Sequence, residues 1–233
     1  MIVFNGVSLD SIARVMIEDI KVSPISLNAV ARPRAIQYGS EFVRMRGGER
    51  VITVSFAVLD ADKTTRQETF INLAKWARND AEYLLELPTD NVKGLYCVCT
   101  GRPDPSTRAW WENKLKLTFT CFNNPYWTSK AEKSVACGTQ FAVLGDAPPL
   151  MQIKRTVSGS STSNQSYSDG TNTMTFSTIP VGNMVIDLNK QTAAVGSTNI
   201  MQYYQPAGNF IIPKTGTQTI TGTGTVYYRE RWE

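Results

Sequence analysis

The chain has 233 residues, 42% of them hydrophobic and 19% charged, with a formal net charge of +4. That is globular composition on a length that suits one large β domain or two ordinary ones, and the charge is too small to argue for nucleic acid. It contains no histidine, which removes the commonest general base, the Ser-His and Cys-His nucleophile arrangements and the commonest metal ligand.

The opening "MIVFNGVSLD" has no basic segment followed by a long apolar run, so no signal peptide is expected. No eighteen apolar residues run together either, so no membrane span is expected. Residues 23–50, "SPISLNAVARPRAIQYGSEFVRMRGGER", carry five arginines against Glu41 and Glu49, with apolar residues thinly spread. Two readings stand: a solvated hairpin, or an arm ordered on a neighbouring subunit, where arginine pairs well with carboxylates.

Next comes "VITVSFAV", which puts Ile52, Val54, Phe56 and Val58 on one face, as in a half-buried strand. The period then changes. Phe70, Leu73, Ala74 and Ala77 recur at helical spacing, with Asp62 or Thr64 as the start cap and Asn79 near the end. Three strands are predicted after it, "EYLLEL", "LYCVCT" and "NKLKLTFTCF". In the last, Leu115, Leu117, Phe119 and Cys121 face in, while Lys116, Thr118 and Thr120 face out. "CFNNPYW" breaks that alternation and reads as a seam between two domains.

Charge density supports a seam. Residues 1–130 hold 17 Lys+Arg and 14 Asp+Glu, whereas the remaining 103 residues hold 7 and 6. The later half reads as β throughout. Its predicted strands are "PLMQIKRTV", "TMTFSTI", "NMVIDL", "NIMQYY", "NFIIP", "QTITGT" and "TVYYRERW", separated by "SDGTN", "PVGN", "PAGN" and "PKTGTQ" turns. A sandwich or jelly roll is expected, with "SGSSTSNQSYSDGTN" as a hairpin tip.

Candidate chemistry is sparse. Cys97, Cys99, Cys121 and Cys137 fit neither a zinc pattern nor a secreted disulfide scaffold, and read as buried thiols made in a reducing compartment. The acid pairs Asp60/Asp62 and Glu82/Glu86 lie in no glycosidase context. "TGTGT" at 221–225 lacks the lysine and the helix of a phosphate loop. Residues 32–50 offer only Tyr38 and Phe42 as aromatics among their arginines, so nucleic-acid binding is not expected. Sugar binding would use Tyr167, Tyr203, Tyr204, Tyr227, Tyr228 or Trp232, though strand tyrosines are more often packed than displayed. No cofactor, metal or catalytic residue is assigned, and no enzyme activity is expected.

In order, "FNGVSL", "VMIEDIKV", "YGSEF", "GERVITVSF", the single helix, "FTCFNNPYW", "NMVIDLNKQTAAV", "STNIMQYYQPAGNFIIPKTGTQTI" and "VYYRERWE" resemble the distal tail proteins (Dit) of long-tailed, non-contractile bacteriophages. The resemblance covers nearly the whole chain and implies a mainly β protein. Residues 1–130 would be a β-rich, ring-forming, tail-tube-like domain with one helix. Residues 131–233 would be a peripheral galectin-like β-sandwich. It implies a homo-oligomer, a hexamer, forming a ring at the distal tail tip of the virion. Its partners would be the tail tube protein, the tip hub or tail lysin, and receptor-binding proteins. Synthesis would be in the bacterial host cytoplasm. Residues 28–50 would be the arm, with Arg32, Arg34, Tyr38, Phe42, Arg44, Arg46 and Arg50 as inter-subunit contacts. Pro125, Tyr126 and Trp127 would lie at the domain junction. Some members carry an inserted sugar-binding module, for which this chain is too short. The alternative reading is a carbohydrate-binding β-sandwich module.

Overall fold

Alternating apolar residues dictate an antiparallel architecture, and the computed structural model of the chain is mainly β. It describes residues 1–33, 40–60, 62–101, 114–205 and 208–233, with 27–33, 40–47 and Lys63 described by their backbone. Contacts divide the described chain into two compact units, Met1–Trp127 and Thr128–Glu233.

The first unit begins with short strands β1 (Val3–Phe4) and β2 (Val7–Ser8), then β3 (Val15–Val22). Strands β4 (Leu27–Pro33) and β5 (Ser40–Gly47) precede β6 (Arg50–Val58), helix α1 (Lys63–Trp76), β7 (Tyr83–Glu86), β8 (Lys93–Gly101) and β9 (Lys114–Cys121). Seven of these strands form one antiparallel sheet in the order β3–β6–β9–β8–β7–β1–β2. β6 alternates strictly: Ile52, Val54, Phe56 and Val58 are buried. On β9 the four expected residues point into the same core.

Thr120 departs from expectation. It is buried rather than outward-facing, because its hydroxyl is 2.9 Å from that of Thr100 on the neighbouring strand and so has a partner away from water. The helix forms where its period predicts. Phe70, Leu73 and Ala77 are buried in the core. The Asp62 carboxylate caps the start, accepting from the amides of Thr64 (2.9 Å) and Thr65 (3.1 Å). Phe4, Trp76 and Phe119 meet edge-to-face at centroid separations of 5.2–6.4 Å.

The short strand β10 (Trp127–Ser129) carries the chain into the second unit. There follow β11 (Lys133–Ala136), β12 (Gln140–Val143), β13 (Ala147–Val157), β14 (Thr162–Ser168), β15 (Thr173–Ile179), β16 (Gly182–Asp187), β17 (Thr192–Val195), β18 (Thr198–Asn199), β19 (Gly216–Thr219) and β20 (Thr225–Trp232). One layer runs β18–β17–β16–β13–β20–β11, all antiparallel. The pairs β14–β15 and β12–β19 form the facing layer, bridged at Ser168↔Thr221. Met151, Ile153, Ile186 and Val226 from one side meet Phe141, Tyr167, Met174 and Phe176 from the other. This is a β-sandwich.

Several expectations fail here for local reasons. "NIMQYY" forms a 3-10 turn over Met201–Tyr203 instead of a strand, because the Asn199 side chain accepts the Met201 amide at 2.8 Å and starts a turn. "NFIIP" forms no strand; Phe210 and Ile211 fill the core while Ile212 points out, and Pro213 has no amide to donate. In the "PAGN" turn, residues 206–207 lie outside the described residues. Most of the Ser/Thr-rich stretch expected as a hairpin tip is the strand β14; the chain turns before it, around Gly159, and after it, over Asp169–Asn172. Strands β11 and β12, inside the expected boundary region, went unpredicted. At Pro148-Pro149 the β13–β20 register shifts, as expected where two successive residues cannot donate to the ladder.

Candidate assembly surface

Residues 23–50 were the segment least legible from periodicity. Within them, Leu27–Pro33 and Ser40–Gly47 form a two-stranded antiparallel ribbon, β4–β5, whose strands pair only with each other among the described residues. Seven residues of β4 extend about 24 Å. The register shifts between Val30 and Ala31, a bulge that increases local twist. Arg32 stands opposite Glu41 in register, Arg44 opposite Val30, Arg46 opposite Asn28, and Phe42 opposite Ala31. These four are described by their backbone, while Arg34 and Tyr38 lie outside the described residues.

The ribbon is anchored at its root by residues that sequence reasoning passed over. Ser23 donates its amide to the Val51 carbonyl (2.8 Å), and its hydroxyl accepts the Val51 amide (2.8 Å). Ser26 donates to the Glu49 carbonyl (3.0 Å) and accepts the Gly48 amide (2.6 Å). Pro24 has no amide, so the Ser23 side chain continues the ladder past β3. A serine directly before a proline at the end of an alternating strand was the available signal. Arg50 opens β6 opposite Cys121 and is buried, 5% exposed.

The break at "CFNNPYW" has a physical cause. β9 ends at Cys121, and the next two amides, Phe122 and Asn123, both donate to Glu82 Oε1 at 2.7 and 2.8 Å. One carboxylate thus bends the chain out of the sheet. Phe122 is exposed, Asn124 and Pro125 are buried, Tyr126 is half-buried, and Trp127 packs against the first unit's core.

Three of the four carboxylates in the acid pairs hold local structure. Asp60 accepts the Thr69 hydroxyl at 2.6 Å, Asp62 caps α1, and Glu82 holds the turn after β9. The second unit's tyrosines are mostly internal. Tyr167 is buried and donates to the Thr223 carbonyl (3.1 Å); Tyr204 packs between Phe176 and Phe210 and donates to the Gly208 carbonyl (2.6 Å). Tyr228 stacks on Phe141, and the Lys154 ammonium sits 4.3 Å over the Tyr227 ring. Tyr203 packs against the core, and Trp232 at the end of β20 is half-buried. These positions leave little aromatic face for a sugar ring.

The solved structure of the SPP1 Dit (gp 19.1) protein, described as a paradigm of the hub adsorption apparatus in phages infecting Gram-positive bacteria, is similar over the whole chain. The two share 15% identity and a TM-score of 0.71, covering 100% of this chain and 98% of that one. A chain of the phage p2 baseplate in its activated conformation with strontium matches at 9% identity and a TM-score of 0.51, covering 94% and 91%. At these identities the likeness establishes a shared fold. No protein-family model matches the chain, and no curated protein matches its sequence.

Proposed function

We propose that the chain is a structural subunit of the distal end of a bacteriophage tail. Six copies close into a ring that joins the tail tube to the tip hub or tail lysin and offers attachment to receptor-binding proteins. The observation that carries this reading is the whole-length likeness to SPP1 Dit, 100% of this chain on 98% of that one. Fold alone does not fix function, and the ordered sequence motifs add independent support.

On this reading residues 1–130 build the ring, residues 28–50 are the arm laid on the neighbouring copy, and residues 131–233 form the peripheral domain. Two features support the arm. A ribbon that, among the described residues, pairs only with itself leaves outward-facing amides and carbonyls on both edges. Its arginine density suits carboxylates on a partner. Arg32, Arg34, Arg44 and Arg46, with Tyr38 and Phe42, are the proposed contacts, Arg50 stands at the root, and Pro125, Tyr126 and Trp127 form the proposed junction.

Light scattering over a wide concentration range tests the reading. Six copies of a 25.9 kDa chain weigh about 155 kDa, as a closed cyclic assembly requires. Replacing Arg32, Arg34, Arg44 and Arg46 together with Ser should lower the mass at a given concentration. A chain that stays monomeric even with its tube and tip partners, and is retained on a polysaccharide column, would instead be a carbohydrate-binding module.

A further inference from the structure

Strands β8 and β9 run antiparallel, with Val98 opposite Thr120 and Cys99 opposite Phe119. One more step in the same register sets Cys97 opposite Cys121. Both side chains are fully buried in the first unit's core, and the Cys121 thiol lies near enough to push that of Cys97 up. Directly opposed Cβ atoms in an antiparallel pair lie about 4.5–5.5 Å apart. A disulfide wants about 3.5–4.5 Å, so a small approach of the two strands closes the gap. Cys99 is diagonal to Cys121, where Cα separations run to about 7–8 Å. Its thiol is directed at the Gly101 carbonyl instead, at 3.7 Å.

From this register we infer that Cys97 and Cys121 form a cross-strand dithiol–disulfide couple, reduced where the chain is made and closed by a small-molecule disulfide in oxidising surroundings. In the step, one cysteine thiolate attacks a sulfur of the external disulfide, giving a mixed disulfide and releasing one small thiol. The second cysteine thiolate then attacks the protein sulfur of that mixed disulfide, forming the Cys97–Cys121 bond and releasing the second small thiol. Two S–H bonds of the protein are lost and one S–S bond is formed; the two electrons and two protons end on the two released thiols.

Burial sets the rate. It raises the Cys97 thiol well above its ordinary range, and the hydrogen bond and neighbouring charge of Cys121 raise it further. Burial also keeps both sulfurs away from an external oxidant, so exchange waits for local opening of β8 and β9. The closed bond would tie together two central strands of the unit that, on the tail-tip reading, builds the ring. The couple itself does not depend on that reading.

The test uses the full chain incubated with oxidised glutathione at mildly alkaline pH. One sample is kept in buffer and one at urea just below the unfolding midpoint, where strand opening is frequent. Each is then unfolded with an alkylating reagent and mapped by mass spectrometry. The reduced chain has four free thiols; the expected result is two, with a single crosslinked peptide pair joining Cys97 to Cys121, formed faster in urea. The variant C99A/C137A, which keeps only the proposed pair, should lose both thiols at the wild-type rate. Four alkylated thiols in both samples would overturn the proposal. So would crosslinks in which Cys99 or Cys137 features as often as the proposed pair. Neither result bears on whether the chain forms rings, which the scattering mass reports separately.

Discussion

The two units reach stability by different routes. The first is a sheet of alternating apolar strands closed by a helix, with an aromatic cluster of Phe4, Trp76 and Phe119 at its centre. The second also has an apolar core, but its Ser- and Thr-rich strands and proline interruptions are secured by individual polar clasps. Glu230, 4% exposed, accepts from Lys133 Nζ (2.8 Å) and the Leu144 amide (2.9 Å). Arg231 donates to the Pro148 carbonyl, and Arg229 to the carbonyls of Ser129 and Lys130. Asn189 accepts the Met151 amide (2.7 Å) and donates to the Pro149 carbonyl (2.8 Å), bridging the break in β13. Burial is non-directional and spread over many residues, whereas a clasp concentrates its contribution in one pair of groups.

Substitutions in the two units should lower stability by graded amounts. Phe119→Ala opens a cavity in the first unit's aromatic cluster and should cost about 3–5 kcal/mol, read as a lower urea midpoint. Glu230→Ala leaves the Leu144 amide and the Lys133 ammonium without their acceptor. It should cost about 2–3 kcal/mol, with proteolytic nicking concentrated between Lys133 and Ala147.

Asp169→Asn should cost about 1 kcal/mol at neutral pH, and its pH dependence is the sharper signature. Burial alone would raise the Asp169 carboxyl, but the amides of Asn172 and Thr171 and the Lys214 ammonium, 3.3 Å away, outweigh it and hold the group below its ordinary range. A depressed carboxylate contributes fully above its unfolded pKa and loses that contribution as pH falls through its folded value. The gap between wild type and Asp169→Asn should therefore be constant near neutrality and shrink below about pH 4. Smallest of the four, Asp62→Ala removes the helix cap and should cost about 1 kcal/mol or less, with lost helical circular dichroism rather than a changed sheet signal.

The same contrast explains what the sequence disclosed. β6, β9, β13, β15 and β20 were legible because apolar alternation is a property of the strand itself, and the helix because its period and its Asp62 cap are both local. β14 was hidden because only Tyr167 of its seven residues is buried; its partner β15 and the bridge to Thr221 define it. The Asn199 turn and the Asn189 clasp depend on where a side chain lands in space, which periodicity does not carry. On the candidate surface, arginine density marked the ribbon. Its Ser23 and Ser26 anchors, and the Glu82 carboxylate that bends "CFNNPYW", act across 28, 23 and about 40 residues of chain respectively and left no local trace beyond the Ser-Pro step.

Images of the purified protein at high concentration show whether the proposed ring closes. The expected result is class averages of discrete rings with sixfold symmetry, lost when Arg32, Arg34, Arg44 and Arg46 are replaced together with Ser. Open filaments, twofold dimers, or rings unchanged by that replacement would contradict it.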